Sequence, residues 1–260
     1  MEGVALSRTT RALRRPWFAL WRLIENMLYT GRSYTLHVPY GQRIYTPWFD
    51  VNRESDFTRA MHVIRSSGPL TVSPDRCYML YQLARRSLTV PGDVAECGVY
   101  KGSTAQLLAW VLSSEHTRGR RLHLFDTFRG MPDDVIAARD YHSPGDFGDT
   151  SVDYVRGRLG HHVTLCDFHP GLIPDTLADV SKIASYAFVH VDVDIYPAVM
   201  DCCRWFWPRL SPGGIMVFDD YGFYPYRLAA RAAVDEFFAK EIDQPLVMPT
   251  GQAVLIKTAP

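Results

Sequence analysis

The chain has 260 residues, 47% of them apolar, and its 28 Lys plus Arg balance 28 Asp plus Glu. That length suits one domain with extensions or two small ones, with enough apolar residues for a sizeable core, and the balanced charge excludes the broad basic field that nucleic acid requires. Five scattered cysteines, an odd count without zinc spacing, argue against a disulfide framework and point to a reducing, cytoplasmic setting.

At the N-terminus Arg8, Arg11, Arg14 and Arg15 precede the apolar run PWFALW, which Arg22 and Glu25 cut off. The run is too short to span a bilayer. It reads as a helix that packs on the domain or on a second subunit, with a basic helix on a membrane surface as the alternative. Phe57–Ser66 and Asp75–Ser87 have helical periodicity, Ser73 standing as N-cap and Pro74 at the first helical position. Gly68-Pro69 separates them. Residues 1–88 therefore read as a helical extension.

From Pro91 onward the pattern alternates between strand and helix. GDVAECGV reads as a strand, Ser103–Ser113 as a helix, RLHLFDTF as a second strand and His162–Cys166 as a third. FVHVDVDIY is a fourth strand, followed by a helix through Met200–Arg209, then IMVFDDY as a fifth and a helix over Leu228–Lys240. The tail LVMPTGQAVLIK reads as a hairpin around Pro249-Thr250-Gly251. This order predicts a doubly wound α/β sheet over residues 89–260, with antiparallel strands at one edge. The polar stretch 131–160 reads as a lid or substrate loop, or equally as a plain surface excursion.

The chemistry concentrates where apolar strands run into carboxylates. Asp192, Asp194, Asp219 and Asp220 follow two strands, at the edge where open α/β sheets bind ligands. Crowded carboxylates repel unless a cation or proton separates them, and an all-oxygen set suits Mg²⁺, Mn²⁺ or Ca²⁺. Between the first strand and its helix lies Glu96-Cys-Gly98-Val-Tyr100-Lys-Gly102-Ser103. Its glycines allow close backbone approach and its amides open a helix N-terminus. Tyr100 stands where dinucleotide loops carry their second glycine, which disfavours a pyrophosphate. Asp126, at the end of RLHLFD, is placed to accept from ribose hydroxyls, and Glu96 from an amino group. A ligand with a ribose and an ammonium but no phosphate matches S-adenosylmethionine.

In that order, GDVAECGVYKGST, FDTFRGMP, PGLIPDTL, VHVDVDIY and GGIMVFDDY resemble the macrocin O-methyltransferase family of the TylF type, from about Asp56 to Lys240. The resemblance implies a class I methyltransferase fold with a seven-stranded, mostly parallel, Rossmann-like sheet. It also implies S-adenosylmethionine as cofactor, Mg²⁺ dependence, oligomer contacts through the N-terminal part and a hydroxylated sugar or natural product as acceptor. Carried over residue by residue, Asp192, Asp219 and Asp220 would be metal ligands. Asp194 would be a general base, with His142 in the presumed lid as its rival. Glu96, Gly98, Tyr100, Gly102, Ser103, Asp126 and Thr127 would line the cofactor. The chain departs from the family pattern at Cys97, Tyr100, Val193, Leu172 and Ile173. A nicotinamide-dependent oxidoreductase and a non-catalytic α/β binding protein are the competing readings; the first lacks a Tyr-x-x-x-Lys pair.

Overall fold

The structure, a computed structural model, describes residues 55–113, 119–133, 135–136, 139–180, 185–223 and 226–258. The basic run and PWFALW lie outside these. Helix α1 (Asp56–Ser67) starts where the Ser55 hydroxyl accepts from the Thr58 amide at 3.1 Å. Helix α2 (Pro74–Ser87) has Ser73 at its N-cap and Pro74 in its first turn. Then come β1 (Asp93–Cys97), α3 (Ser103–Leu112) and β2 (Leu122–Asp126). The sequence continues through α4 (Val152–Leu159), β3 (Cys166–Pro170), β4 (Tyr186–Val191) and α5 (Tyr196–Arg209). It ends with β5 (Leu210–Phe218), α6 (Ala230–Phe238), β6 (Leu246–Val247) and β7 (Ala253–Ile256).

The sheet runs β3-β2-β1-β4-β5-β7-β6. β3 through β5 pair in parallel; β7 is antiparallel to β5 and β6. This is the expected doubly wound sheet with its terminal hairpin. Alternation along each strand divides the core between two faces. Val94, Leu122, Leu124, Phe188, Ile215 and Val217 pack with α1, α2 and α3. Ala95, Phe125, Val189, Val191, Met216 and Phe218 pack with α5 and α6. All five cysteines are buried free thiols. Among the described residues no helix is long and apolar enough to cross a membrane.

One strand expectation is corrected, and one loop is more regular than its composition suggests. The third strand is not His162–Cys166: Gly160–Leu165 forms a 3₁₀ turn, and the strand begins at Cys166. β3 is a sheet edge that alternates weakly, CDFHP, so its pairing with β2 at Leu122↔Cys166 decides it, where local pattern could not. The polar stretch 131–160 also ends in regular structure. Ser151 caps α4, its hydroxyl accepting from the Tyr154 amide at 3.1 Å. Buried Arg158 then ties α4 to the α1–α3 layer, donating to the carbonyls of Pro69 at 2.8 Å and Ile64 at 3.1 Å.

Candidate active site

The sheet order reverses between β1 and β4, and their carboxyl ends open a crevice there. A cavity of about 260 Å³ occupies it. On the β1 side the walls are built by backbone hydrogen bonding. Asp126 Oδ2 accepts from the amides of Val99 at 2.6 Å and Tyr100 at 2.9 Å, and Oδ1 from the Phe128 amide at 2.6 Å. These charge-assisted bonds hold the loop open with Tyr100 at φ 46. Gly98, at φ 87, passes so close to Asp192 that a Cβ would overlap the Asp192 carbonyl oxygen. Gly98, Tyr100, Asp126 and Thr127 line the cavity.

The other residues expected at the cofactor do not line it. Gly102 turns the chain at φ 75 and packs against Val155. The Ser103 hydroxyl is 2.6 Å from that of Thr71. Glu96 is fully buried, with Oε1 2.9 Å from His190 Nδ1. The reason is registry: Glu96 lies opposite His190 on β4, so both side chains share the sheet face toward α2.

The acidic side is set by the β4–β5 register. Val191 pairs with Phe218, so the next residues on each strand, Asp192 and Asp219, leave the sheet side by side. The Asp219 amide donates to the Val191 carbonyl at 3.0 Å, and the Asp192 amide to that of Cys97 at 2.8 Å. Side-chain oxygens of Asp192, Asp194 and Asp220 lie within 4.8 Å of one another, and so do donor atoms of His190, Asp192 and Asp219. Burial, then the charge of Asp220, pushes the Asp192 and Asp194 carboxyls well above the ordinary carboxylate range. Oxygen donors in this number, with protons held against repulsion, fit a hard divalent cation.

Asp194 reaches the cluster by a different route from strand alternation. β4 ends at Val191, and the Ile195 amide donates to the Val193 carbonyl at 2.6 Å, which leaves Asp194 at φ 60 at the centre of a γ-turn. That conformation is unfavourable for a residue with a Cβ, so the surrounding structure must hold it. His142 Nε2 lies 3.7 Å from Asp194 Oδ1 and 3.0 Å from the Tyr226 hydroxyl, and its Nδ1 lies 3.0 Å from Asp146 Oδ2. The structure thus brings both candidate bases together, Asp194 on the cavity wall and His142 behind it. Burial, followed by the charges of Asp194 and Asp220, pushes the Tyr226 hydroxyl up, so it stays a neutral donor.

Arg76, Gln252 and Tyr226 carry no signal in the sequence alone. Arg76 stands in the first turn of α2, its Nη2 in contact with Asp219 Oδ2 and 3.4 Å from Asp220 Oδ1. Fully buried Gln252, from the hairpin, donates to Asp219 Oδ1 at 2.7 Å. Neither belongs to a motif near the acids; long-range packing alone delivers them.

Residues 82–257 match the model of the family described as Macrocin-O-methyltransferase (TylF). The chain belongs to this family. It is 33% identical over 159 residues to the mycinamicin III 3''-O-methyltransferase of Micromonospora griseorubida, covering 57% of this chain and 61% of that protein. It is 32% identical over 141 residues to the 8-demethyl-8-(2,3-dimethoxy-alpha-L-rhamnosyl)-tetracenomycin-C 4'-O-methyltransferase of Streptomyces olivaceus, covering 51% and 54% respectively. The chain thus spans little more than half the length of these curated relatives. Among solved structures, the O-methyltransferase NovP superposes with a TM-score of 0.64 at 27% identity, covering 72% of this chain and 81% of NovP. The TylF family match takes in every residue of the acid cluster, the glycine loop and His142. Arg76 lies outside the matched range.

Proposed function

We propose that this TylF-family protein is an O-methyltransferase that carries the methyl of S-adenosylmethionine to a hydroxyl of a sugar on a small natural product, with Mg²⁺ held by Asp192, Asp219 and Asp220. One observation carries the reading: Asp192, Asp194 and Asp220 line the switch-point cavity beside the glycine loop, with buried Asp219 next in the chain to Asp220 and His142 3.7 Å from Asp194. Family membership and relatives named for O-methylation, one of a rhamnosyl compound, support it.

When bound, S-adenosylmethionine would supply a methyl already activated on a sulfonium, and a cation held by Asp192, Asp219 and Asp220 would lower the pKa of an acceptor oxygen. The chain must then position that oxygen and take its proton. Gly98, Tyr100, Asp126 and Thr127 border the donor's half of the cavity, and Asp192, Asp194 and Asp220 the acceptor's half. The Asp194–His142 pair receives the proton. Asp146 holds His142 Nδ1, which leaves Nε2 facing Asp194 and the Tyr226 hydroxyl. Such positioned proton transfer contributes about 10²–10⁴-fold.

The decisive measurement pairs binding with turnover. Calorimetry should show S-adenosylhomocysteine binding and no NAD binding. Radiolabelled S-adenosylmethionine should then label a glycosylated acceptor in a reaction that a chelator stops. NAD binding in its place would sink the methyltransferase reading, and chelator-resistant labelling would sink the metal's part in it.

A further inference from the structure

The acid cluster already holds a positive charge of its own. Arg76 reaches it from α2, in contact with Asp219 Oδ2 and 3.4 Å from Asp220 Oδ1. These are two of the three carboxylates assigned to the cation under the proposed function, and the role of Arg76 rests on that assignment. The guanidinium is placed by several independent contacts. Its carbon lies 4.8 Å from the centroid of the Phe223 ring. Gln252 Nε2 lies 3.5 Å from the Arg76 carbonyl and 2.7 Å from Asp219 Oδ1, so one buried amide joins the helix turn to the carboxylate. The Arg76 side chain still lines the cavity and is 15% exposed, so it has a path out. Its Nε is buried with no hydrogen-bond partner, a cost that a second resting position would remove.

A guanidinium and a divalent ion cannot both take the same carboxylate oxygens, and like charges in one partly buried site repel. We propose that Arg76 is a tethered counter-ion that competes with the divalent cation. It neutralises Asp219 and Asp220 when no ion is bound and swings off them when one enters. Arg76 is thereby a positioning residue. It acts on the reaction through the carboxylates, and it couples the first turn of α2, beside the cavity-lining Thr71 and Val72, to metal loading. A tethered positive charge in the site keeps metal affinity moderate and lowers the repulsion among the carboxylates when no metal is bound.

The test uses Mn²⁺ alone as the probe, titrated into the full chain by electron paramagnetic resonance, without cofactor or acceptor. Arg76→Gln should bind Mn²⁺ about tenfold or more tightly than the native protein, and Arg76→Lys, which keeps the charge, should stay within about threefold. Thermal melting of Arg76→Gln should become strongly dependent on Mn²⁺, where that of the native protein is weakly so. Equal or weaker binding by Arg76→Gln would show that Arg76 instead orients the ligands, and the proposal fails while the metal site stands. Absence of Mn²⁺ binding in all three proteins overturns both. Binding by Arg76→Gln alone supports the competition outright. Should Arg76→Gln not fold, Mg²⁺ titration of native protein labelled with ¹⁵N-arginine still decides: the Arg76 Nε resonance must shift in step with binding, and an unmoved resonance at saturation rejects the idea.

Discussion

The two walls of the cavity are held by different forces. The β1 wall is a backbone structure: loop amides converge on Asp126, glycine gives the close approach at residue 98, and every oxygen of that carboxylate is engaged. The β4–β5 wall is built of charges that oppose one another, with Asp194 in an unfavourable turn and protons or Arg76 relieving the repulsion. One wall is organised by backbone hydrogen bonds alone; in the other, protons and Arg76 hold the acids together, and under the proposed function a cation would take their place. Preorganisation of one partner's site and an electrostatic demand for the other are what a two-ligand transfer reaction needs.

The largest effect should come from breaking both walls at their junction. Gly98→Ala forces a Cβ onto the Asp192 carbonyl and puts alanine at positive φ, which should cost about 3 kcal/mol or more in denaturant unfolding, or prevent folding. Native-like stability for that variant would mean the walls are not in contact there.

Next comes the backbone wall alone. Asp126→Ala leaves the Val99, Tyr100 and Phe128 amides without their acceptor and should lose about 2–3 kcal/mol. Calorimetric affinity for S-adenosylhomocysteine should fall with it, while Mn²⁺ binding changes little. Loss of both together would erase the distinction between the walls.

The charged wall should answer to pH. Asp192 and Asp194 are raised above the ordinary value of 3.8 by burial and by Asp220. The native protein therefore keeps protons that the unfolded chain has released, and stability without metal falls as pH rises from 3.8 through their raised values. Urea midpoints across pH 4–8 should show this decline, and Asp192→Asn should flatten it while abolishing turnover. A native-minus-Asp192→Asn stability difference that rises with pH in the metal-free proteins would contradict the stored repulsion, since the lowered Asp56, Asp93 and Asp167 cancel in that difference. The smallest effect belongs to Tyr100→Phe, which removes one exposed 2.7 Å bond to Asp149 at the rim and should change KM by about threefold or less.

Much of this arrangement was legible in the chain. The strand–helix alternation predicted the sheet because its buried strands are long apolar runs, and β3 escaped because an edge strand shows little alternation. The motifs located the glycine loop and the acids because those residues sit at strand ends, where local sequence and site coincide. The partner of Glu96 was illegible for the complementary reason: its neighbour across the sheet, His190, is far away in sequence.

By itself the sequence determined the α/β class, the family, and which carboxylates gather at the end of β4 and β5. Only tertiary structure decided that Asp194 arrives through a γ-turn, that His142 stands behind it, and that Arg76 and Gln252 close on Asp219. Periodicity and local motifs act over a few residues, whereas the partner of a buried charge is chosen by strand register and helix packing, which no short window contains.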